Sequence, residues 1–477
     1  MNFSDLIPYS NLATFSSQGE NLAIAHHMQV QVYDTNNLNI IVQYSFPDVI
    51  TQLQWSEDGQ YLLVSLNKRG LAYVKSLDDS EWNCKIDEGI AGLMYARWVP
   101  DSRQIITISD FQLRLTIWSL VDQTVSYIKN PKHHDRGISF TSNGKFMALA
   151  ERSDCKDFIG IYYCGDWKLM NHFQVETTDL ADLQWSKDDT AIIVWDNPIE
   201  CRLLVYSATQ GLLAQHIPYE NALGYKTLQF SPNGKFLAAG LYDQKLRLYN
   251  HISWKEITHF EHKKNLSEDD DIHIYTEEEY KQGGPYSYEE EVTSRYKMLE
   301  PPVQLTVSKK SASKDNPLSG NGVSLIAWSY DSKYVATKND NTPNCVFIWD
   351  VASLRLTVVL IHFDPVKSID WSSKTNHLVI ATNASRIFIW SVNGASVCDI
   401  PLEGQNDHST YGKKSKDTSP DFKVSKVQWN SDGKSILIQD KTNLLIAYPH
   451  FTFLKEQNEE GEGDYDAEGD EESKDHN

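Results

Sequence analysis

The histidine pairs His26 with His27 and His133 with His134 are the side chains of this sequence that most suggest a metal site. Neighbouring residues of a β-strand point to opposite faces of a sheet, so neither pair can hold one ion unless a turn redirects it. Three consecutive aspartates at residues 269–271 lack the glycine and the glutamate spacing of a calcium-binding loop. We therefore predict surface or turn histidines, solvated aspartates and no metal site.

Cys155 is the candidate nucleophile, because Arg152 and Lys156 lie nearby in the sequence and positive charge favours a thiolate. No base partner is apparent beside it, and a structural thiol is the favoured interpretation. The chain also contains no Gly-x-x-x-x-Gly-Lys-Ser/Thr phosphate loop, no His-Glu-x-x-His pair and no Gly-x-Ser-x-Gly elbow. The sequence therefore predicts no catalytic residue, no cofactor and no enzymatic activity.

A repeat of about 40 to 45 residues sets the elements that position all these side chains. Each copy contains an aromatic residue, a polar turn of the Ser-x-Asp-Gly-Lys kind, an apolar run, a second turn and an alternating strand that ends in Trp or Tyr. The aromatic anchors are Phe15, Trp55, Trp98, Phe140, Trp185, Phe230, Trp328, Trp371 and Trp429. Asn-Gly and Asp-Gly supply the positive φ angles of tight hairpins, so each copy predicts one four-stranded propeller blade.

The repeats are of the WD type, but they are degenerate. Trp349 and Asp350 form the one Trp-Asp pair in register, whereas Trp195 and Asp196 end the second strand of their repeat rather than the third. No Gly-His pair occurs anywhere in the chain. We therefore expect the buried His-Ser-Trp-Asp hydrogen-bond network of standard blades to be incomplete.

The predicted fold is all-β: a WD40-type β-propeller, built as a single closed ring of about nine four-stranded blades over residues 1–454. Rings avoid exposed sheet edges by completing one blade with strands from both termini. Residues 3–7 are well placed to be the fourth strand of the blade that begins at Trp429. A ring of seven or eight blades with one distorted unit is the alternative.

Charged segments interrupt or follow the ring. A segment of about residues 263–316 carries several acidic runs and predicts a long, mostly flexible insertion, and a smaller insertion covers about 404–421. Residues 455–477 contain eleven acidic and two basic residues, a net charge of −9 within a total of −21, and predict a disordered acidic tail. The tail is either a solvating end or an attraction for a basic partner that is effective mainly at low salt.

Composition restricts the compartment and the partners. The chain is 40% apolar and 11% aromatic, which is enough for an extensive core. No run approaches the roughly 18 apolar residues of a membrane helix, the N-terminus lacks a secretion signal, and six scattered cysteines favour a reducing cytosol. The acidic balance disfavours phosphate contacts. We expect a cytoplasmic protein without membrane or direct nucleic-acid binding.

Loops between the second and third strands of successive blades should gather on one face of the ring. Asp and Asn in those loops usually stabilise the turns themselves. Arginine, lysine and phenylalanine are harder to explain by turn geometry, and arginine and aromatic residues dominate protein interfaces. The candidate partner-binding residues are Arg69, Phe111, Arg152, Lys156, Lys245 and Arg386.

Several stretches have sequences that are not typical of WD repeats in general. They are residues 85–93, 115–120, 125–129, 148–158, 251–255 and 338–344, together with the opening Met-Asn-Phe-Ser. In this order they resemble the centrosomal and spindle-pole WD-repeat family known as WD-repeat protein eight. The resemblance runs from residue 1 to about 454, and it does not include the charged insertion or the acidic tail.

The resemblance implies a scaffold located in the cytoplasm and cytoskeleton, at the centrosome, microtubule organising centre or spindle pole. Family members work with a coiled-coil microtubule-anchoring protein and, in yeasts, a kinesin-14 type motor. They help to anchor microtubule minus ends, organise the spindle and, in animals, support cilium assembly. No catalytic residue, cofactor or metal comes with the family, and other centrosomal proteins are the implied partners.

Other functions remain open from the residues alone. A propeller scaffold in another complex, such as translation initiation, is the main alternative, because some initiation factors also have about nine blades. A ubiquitin-ligase substrate receptor is disfavoured because Val351 and Ala352 follow the Trp-Asp pair, where a Trp-Asp-x-Arg signature would need arginine. An enzyme is the most distant possibility, since fold alone does not define function.

Overall fold

The repeated polar turn closes the innermost hairpin of each blade. In blade 2 the Gly59 N–H donates to the Ser56 carbonyl (3.0 Å), and Gly59 has a φ of 72°, in the region that glycine adopts without a steric penalty. The Ser56 hydroxyl donates to Asp58 (2.6 Å) and accepts from the Tyr61 N–H (2.9 Å). The turn residues therefore bond to one another, and the flanking apolar runs pair as strands.

The computed structural model describes residues 1–79, 81–209, 211–268, 271–282, 291–308, 318, 320–401 and 422–450. Within these residues the strands form nine antiparallel blade sheets, so the predicted nine-bladed propeller is confirmed. The strands of each blade are named a to d from the centre outward.

Blades 1 to 3 have strands Leu12–Phe15, Asn21–His26, Gln29–Asp34 and Ile40–Ser45; Gln52–Trp55, Tyr61–Leu66, Leu71–Ser76 and Asn83–Asp87; and Tyr95–Trp98, Gln104–Ile108, Arg114–Ser119 and Val125–Lys129. Blades 4 to 6 have Ile138–Phe140, Phe146–Ser153, Lys156–Tyr163 and Lys168–Gln174; Leu180–Trp185, Ala191–Asp196, Leu203–Ser207 and Gly211–His216; and Tyr225–Phe230, Phe236–Leu241, Lys245–Asn250 and Glu256–Glu261. Three short 3₁₀ turns lie at Asn67–Arg69, Gly89–Ala91 and Asp110–Gln112.

Blades 7 and 8 have Val323–Trp328, Tyr334–Asn339, Cys345–Asp350 and Arg355–Ile361; and Ser368–Trp371, Leu378–Ala381, Arg386–Ser391 and Gly394–Asp399. Blade 9 has Lys426–Trp429, Ile436–Gln439 and Asn443–Tyr448. Between blades 6 and 7 lie a short pair, Asn265–Leu266 with Val303–Gln304, and a long hairpin, His273–Gln282 with Glu291–Leu299.

The N-terminus completes blade 9, as the sequence predicted. Asn2–Phe3 pairs antiparallel with strand c of blade 9, opposite Tyr448 and Ala447, and Ile7–Pro8 pairs with the other end of the same strand. Met1, Phe3 and Leu6 pack against the core between blades 8 and 9, while Ile7 packs between blades 9 and 1. Strands from both ends of the chain therefore close the ring.

The anchor tryptophans join neighbouring blades. The Trp98 indole N–H donates to the Gln54 carbonyl of the preceding strand a (3.3 Å), and Trp371 donates in the same way to Ala327 (3.0 Å). Two further anchors repeat the contact, Trp55 with the Thr14 carbonyl and Trp328 with the Gln229 carbonyl. Each such bond contributes about 1 kcal/mol and fixes the register between two blades.

Buried hydrogen-bond networks persist in a reduced form. In blade 7 the Trp349 indole donates to the Thr337 hydroxyl (2.8 Å), which lies 2.9 Å from Nε2 of His262, and Nδ1 of His262 contacts the Gln244 carbonyl. At blade 8 the hydroxyl of Tyr296, a residue of the long hairpin, lies 2.7 Å from Nε2 of a second buried histidine, His362. Histidines at connections between blades therefore bond to whichever hydroxyl the neighbouring element supplies.

The prediction of a flexible segment at about 263–316 is wrong for the long hairpin. Its first strand pairs in parallel with strand d of blade 7, which extends that sheet to six strands. Tyr275 and Tyr296 pack against the core between blades 7 and 8, and Ile274 is fully buried against the core of blades 6 and 7. A segment too polar to build its own core is thus ordered by the cores of the ring.

Other predicted segments fall outside the description. Residues 283–290 and 309–317 of the insertion lie outside the described residues, as do 402–421, which include the predicted smaller insertion, and 451–477, which include the predicted acidic tail. In the part of the chain that is described, no helix is long and apolar enough to cross a membrane.

Deletion of residues 1–8 should destabilise the whole ring. It removes both terminal strands of blade 9 and exposes strand c as a free edge, so we expect the melting temperature to fall by roughly 5 °C or more and aggregation to increase. Thermal unfolding followed by calorimetry measures the change, with deletion of residues 470–477 as a control of equal length. Unchanged melting of the first variant would contradict closure by the N-terminus.

Acid should destabilise the ring through its buried histidines. Burial lowers the pKa of His262 and of His362 to about 4. In the unfolded chain the histidine pKa is about 6.5, so between pH 6.5 and pH 4 the unfolded chain binds protons that the folded chain does not. The stability that these neutral histidines contribute is therefore complete above pH 6.5 and is lost as the pH falls toward 4.

Asp370 acts in the opposite direction, because burial raises its pKa to about 6 and the folded state takes up a proton first. Between pH 4 and 6.5, His362 is protonated in the unfolded chain and neutral in the folded chain. The variant His362→Gln removes this difference, so it should reduce the slope of unfolding free energy against pH by roughly 1.4 kcal/mol per pH unit in that range. Urea denaturation at several pH values measures that slope. His26→Gln, at an exposed position, is the control, and equal slopes for all three proteins would refute the assignment.

Candidate protein interaction surface

The ring has two chemically different faces. The b–c turns and the connections from strand d to the next strand a form what we call the upper face, and the a–b and c–d turns form the lower face. The six predicted partner-binding residues all lie on upper-face loops or at the strand ends that adjoin them. The structure thus confirms the shared face, while their role in binding stays a prediction.

Five exposed or partly exposed apolar side chains lie on the upper face around blades 2 and 3. Ile90 is fully exposed, and Phe111 and Leu113 are 89% and 65% exposed. Val49 and Met94 are partly exposed on adjoining connections. We call these five residues the blade 2–3 patch. Single exposed apolar residues are ordinary, whereas several on touching loops indicate a binding surface.

Close packing holds the loops of the blade 2–3 patch together. The Asn67 side chain donates to the Met94 carbonyl (2.6 Å), which ties the b–c turn of blade 2 to the following connection. A Cβ on Gly92 would lie 2.1 Å from a carboxylate oxygen of Asp110, so only glycine lets this connection approach the b–c turn of blade 3. Gly92 also has a φ of 66°. The apolar side chains therefore stand on loops with a fixed spacing.

A buried carboxylate supports the patch from below. Glu88 is 5% exposed and accepts hydrogen bonds from the Thr107 hydroxyl and the Trp118 indole (3.3 Å). Arg114, which follows Leu113, pairs with its other oxygen (3.2 Å) and stacks over Tyr127. Glu88 thus links the connection that bears Ile90 to the turn that bears Phe111.

Phe111 has a backbone conformation that bulky residues rarely adopt. Its φ and ψ are 59° and 15°, and the next residue, Gln112, also has a positive φ of 54°. Such conformations cost of order 1–3 kcal/mol each and cluster at binding sites. The strain is not repaid by burial, because the ring points into solvent. This combination makes Phe111 a candidate contact residue of the patch.

The remaining predicted residues are divided between exposed and internally paired positions. Arg69 lies beside the patch, where its Nε is 2.9 Å from Asp48 and more than half of its side chain remains exposed. Lys156 is exposed at the b–c turn of blade 4, next to Cys155 at the tip of that turn. Of the six predicted residues on the upper face, Arg69 and Phe111 are therefore the two at the blade 2–3 patch.

Three further predicted residues, besides Arg69, take part in ion pairs within the ring. Arg152 contacts Asp157 (3.0 Å) and Asp179 (2.9 Å), which also bind the buried Lys132. The second is Lys245, which pairs with Glu261 at 2.7 Å, and this hydrogen bond raises its pKa. The third is Arg386, which contacts Glu277 of the long hairpin (3.3 Å) and Asp399 (3.5 Å).

The sequence reasoning missed Ile90, Leu113, Val49 and Met94. An apolar residue between Gly89 and Gly92 could have been noticed, since a connection rich in glycine has no core of its own to fill. Among the described residues, no three His, Cys, Asp or Glu side chains form a group that could hold a metal ion. The surface offers shape, apolar area and charge for contact with another protein.

A closed ring of nine blades, with WD-type repeats and an apolar contact patch on its loops, defines a WD40-type β-propeller of the protein-binding class. Residues 222–250 match the family described as WD domain, G-beta repeat. The chain is 37% identical over 464 residues to the mouse WD repeat-containing protein WRAP73, covering 94% of this chain and 96% of that protein. The chain therefore belongs to the WRAP73 family of WD-repeat proteins.

Two further comparisons are more distant. An uncharacterized WD repeat-containing protein of Schizosaccharomyces pombe, C32H8.09, is 24% identical over 352 residues, which cover 70% of this chain and 65% of that protein. The crystal structure of the C-terminal WD40 domain of Sif2 superposes with a TM-score of 0.49 at 12% identity, covering 94% of this chain and 99% of that one.

Replacing Phe111 by asparagine should stabilise the protein. Asparagine tolerates positive φ, and loss of an exposed ring removes no buried area, so we expect the free energy of unfolding to rise by about 0.5–1 kcal/mol. Phe111→Ala is the matched control, because it also removes the ring but places a residue that tolerates positive φ less well than asparagine does. Chemical denaturation measures both variants, and a loss of stability in Phe111→Asn would show that the ring has a structural role.

Proposed function

We propose that this protein is a non-enzymatic scaffold of the centrosome or spindle pole, which helps to anchor microtubule minus ends and organise the spindle. The observation that carries the proposal is the position in the fold of the sequence stretches that resemble the spindle-pole family. Residues 85–93, 115–120 and 125–129 form strand d of blade 2, the connection with Ile90, and strands c and d of blade 3. The first stretch contains Ile90 of the blade 2–3 patch, and the other two belong to blade 3, whose b–c turn carries Phe111 and Leu113; the remaining three family-like stretches lie in blades 4, 6 and 7.

The chemistry of the patch fits a helical protein partner. Ile90, Phe111 and Leu113 offer apolar side chains that can enter a groove between helices, and aromatic anchors of this kind dominate binding energies. Arg69 and Asp48 stand at the rim, where charges favour register and the rate of association. A coiled-coil microtubule-anchoring protein presents the matching apolar stripe with charges on both sides.

The ring geometry favours simultaneous contact with several partners. Loops from nine blades share the upper face, so a coiled-coil protein at blades 2 and 3 leaves the loops of blades 5 and 6 accessible, where Ile199 and Ile217 are exposed. A kinesin-14 type motor or another centrosomal protein bound there would be held near the first partner, which raises the effective concentration between them. The proposal also includes support of cilium assembly and needs neither membrane nor nucleic-acid contact.

Affinity capture from dividing cells tests this function. The tagged full chain should recover spindle-pole or microtubule-anchoring components, and fluorescence should place it at the poles. Phe111→Asn and Ile90→Ser should each reduce recovery by roughly tenfold or more, which corresponds to an interface residue worth at least 1.4 kcal/mol. Val392→Ser, at an exposed position on the lower face outside the family-like stretches, is the matched control and should recover the same partners as the unmodified chain.

One result would reject the spindle function, and another would reject the contact surface. Recovery of no pole component would remove the spindle function, and co-sedimentation with ribosomal subunits instead would favour the translation scaffold. Equal recovery of pole components by all three variants would reject the blade 2–3 patch as the contact surface. Absence of fluorescence from the poles would then reject the spindle-pole location.

A further inference from the structure

The a–b turns form a continuous ring of contacts around the centre of the lower face. The Ser142 hydroxyl of blade 4 donates to the Lys187 carbonyl of blade 5 (2.8 Å), and the Ser373 hydroxyl of blade 8 donates to the Ser431 carbonyl of blade 9 (2.7 Å). At the closure, the Asn430 amide donates to the Gly19 carbonyl (2.8 Å). Charges on neighbouring turns are therefore close to one another.

Six consecutive turns of this ring, those of blades 4 to 9, each carry an exposed lysine. We call them the lysine arc: Lys145, Lys187, Lys235, Lys333, Lys374 and Lys434. Lys333 lies 3.4 Å from Asp331. For the other five ammonium groups, no carboxylate within the described ranges lies at salt-bridge distance. The arc thus presents several cations to solvent.

Carboxylates of the same turns bond inward to their own backbone and hydroxyl groups. Asp188 accepts from the Ser186 hydroxyl (2.5 Å), and Asp331 accepts from the Ser329 hydroxyl (2.8 Å). Asp432 accepts from the Lys434 N–H (2.8 Å). These contacts hold the acidic groups at the turns, while the long lysine side chains extend beyond them. A chain that approaches this face meets the ammonium groups first.

The turns of blades 1 to 3 have the opposite character. They carry Glu20, Glu57, Asp58 and Asp101, and their single cation, Arg103, is paired with Asp58 at 2.6 Å. The a–b turns are therefore acidic over blades 1 to 3, whereas over blades 4 to 9 their six lysines outnumber four aspartates, Asp188, Asp189, Asp331 and Asp432. An acidic ligand would be directed to the second region.

The C-terminal end of the propeller emerges on this face. Ala447 pairs with Ile436, which directly follows the a–b turn of blade 9, so strand c of that blade ends beside the turns. The hydroxyl of Tyr448 donates to the Thr35 carbonyl (2.6 Å), and Thr35 itself donates to the a–b turn of blade 1 at Gly19. Residues 455–477, with eleven acidic and two basic residues, follow from this point.

Reach and tethering favour contact in cis. Seven residues from 449 to 455 span at most about 25 Å, which brings the first acidic residues to the arc, and the twenty that follow can extend along it. A short tether gives effective concentrations of about 1 mM. Single exposed ion pairs contribute little, but eleven carboxylates over six ammonium groups act together, and salt screens them beyond about 10 Å.

We propose that the acidic segment 456–475 binds in cis to the lysine arc and so competes with acidic segments of other proteins for the lower face. This inference is independent of the location of the protein in the cell. It assigns the lower face to acidic peptide ligands and gives the C-terminal segment the role of a built-in competitor.

Carbodiimide crosslinking of the purified full chain tests the contact, because this reagent joins carboxylates to lysine amines that already touch. Mass spectrometry should locate links from residues 456–475 to the lysine arc at least about tenfold more often than to Lys68, Lys156 and Lys367, which are exposed on the upper face. The links should disappear in 0.5 M salt, because the Debye length is then only about 4 Å. An even distribution over both faces, or no links, would overturn the proposal.

Isotope mixing and charge variants distinguish the remaining possibilities. In a mixture of ¹⁴N and ¹⁵N chains the links should join residues of the same chain, and links between chains would overturn binding in cis. Replacing all eleven acidic residues by Asn or Gln should strengthen binding of a poly-glutamate peptide about tenfold, as expected when a competitor at about 1 mM is removed. The triple variant Lys145→Gln, Lys235→Gln and Lys434→Gln should abolish that binding, whereas Lys68→Gln, Lys264→Gln and Lys367→Gln, at exposed positions of the upper face, should not. Equal peptide binding with and without the acidic residues would refute competition.

Discussion

Contact between the innermost strands of neighbouring blades is the interaction on which this structure depends. A blade has one buried face on each side and no core of its own, so it is stable only between two neighbours. Indole N–H groups such as that of Trp98 reach the carbonyl of the preceding strand a, and the polar turns bond to one another beside them. Because the contacts run in a circle, the pairing of Asn2–Phe3 with the last strand stabilises every blade.

This circular packing separates the two proposed contact regions. On the upper face, loop conformations are set by buried groups such as Glu88, which allows Phe111 to remain both strained and exposed. On the lower face, short turns of nearly constant geometry repeat from blade to blade, so a lysine in each of six turns becomes one arc of charge. The upper face therefore suits selective apolar contact, and the lower face suits weak, salt-sensitive contact with acidic chains.

Other polar pairs occupy the places of the standard WD hydrogen-bond network. His262, Thr337 and Trp349 keep three members of the standard network, whereas blade 3 uses Glu88 with Thr107 and Trp118. Blade 8 has no hydroxyl on its second strand at the equivalent position, and its histidine bonds instead to Tyr296 of the inserted hairpin. The inserted hairpin has thus become part of the polar interior.

The sequence by itself determined the nine repeats, the hairpin turns and the closing role of the N-terminus, because each depends on local spacing, turn chemistry and period. It also indicated Arg69 and Phe111, since their residue types do not fit a turn. Only the tertiary structure decided that Ile90 and Leu113 share a surface with Phe111, that Arg386 is bound by Glu277, and that the strand His273–Gln282 of the insertion pairs with blade 7. These outcomes depend on contacts between residues far apart in the chain, where packing against a neighbouring blade outweighs local polarity.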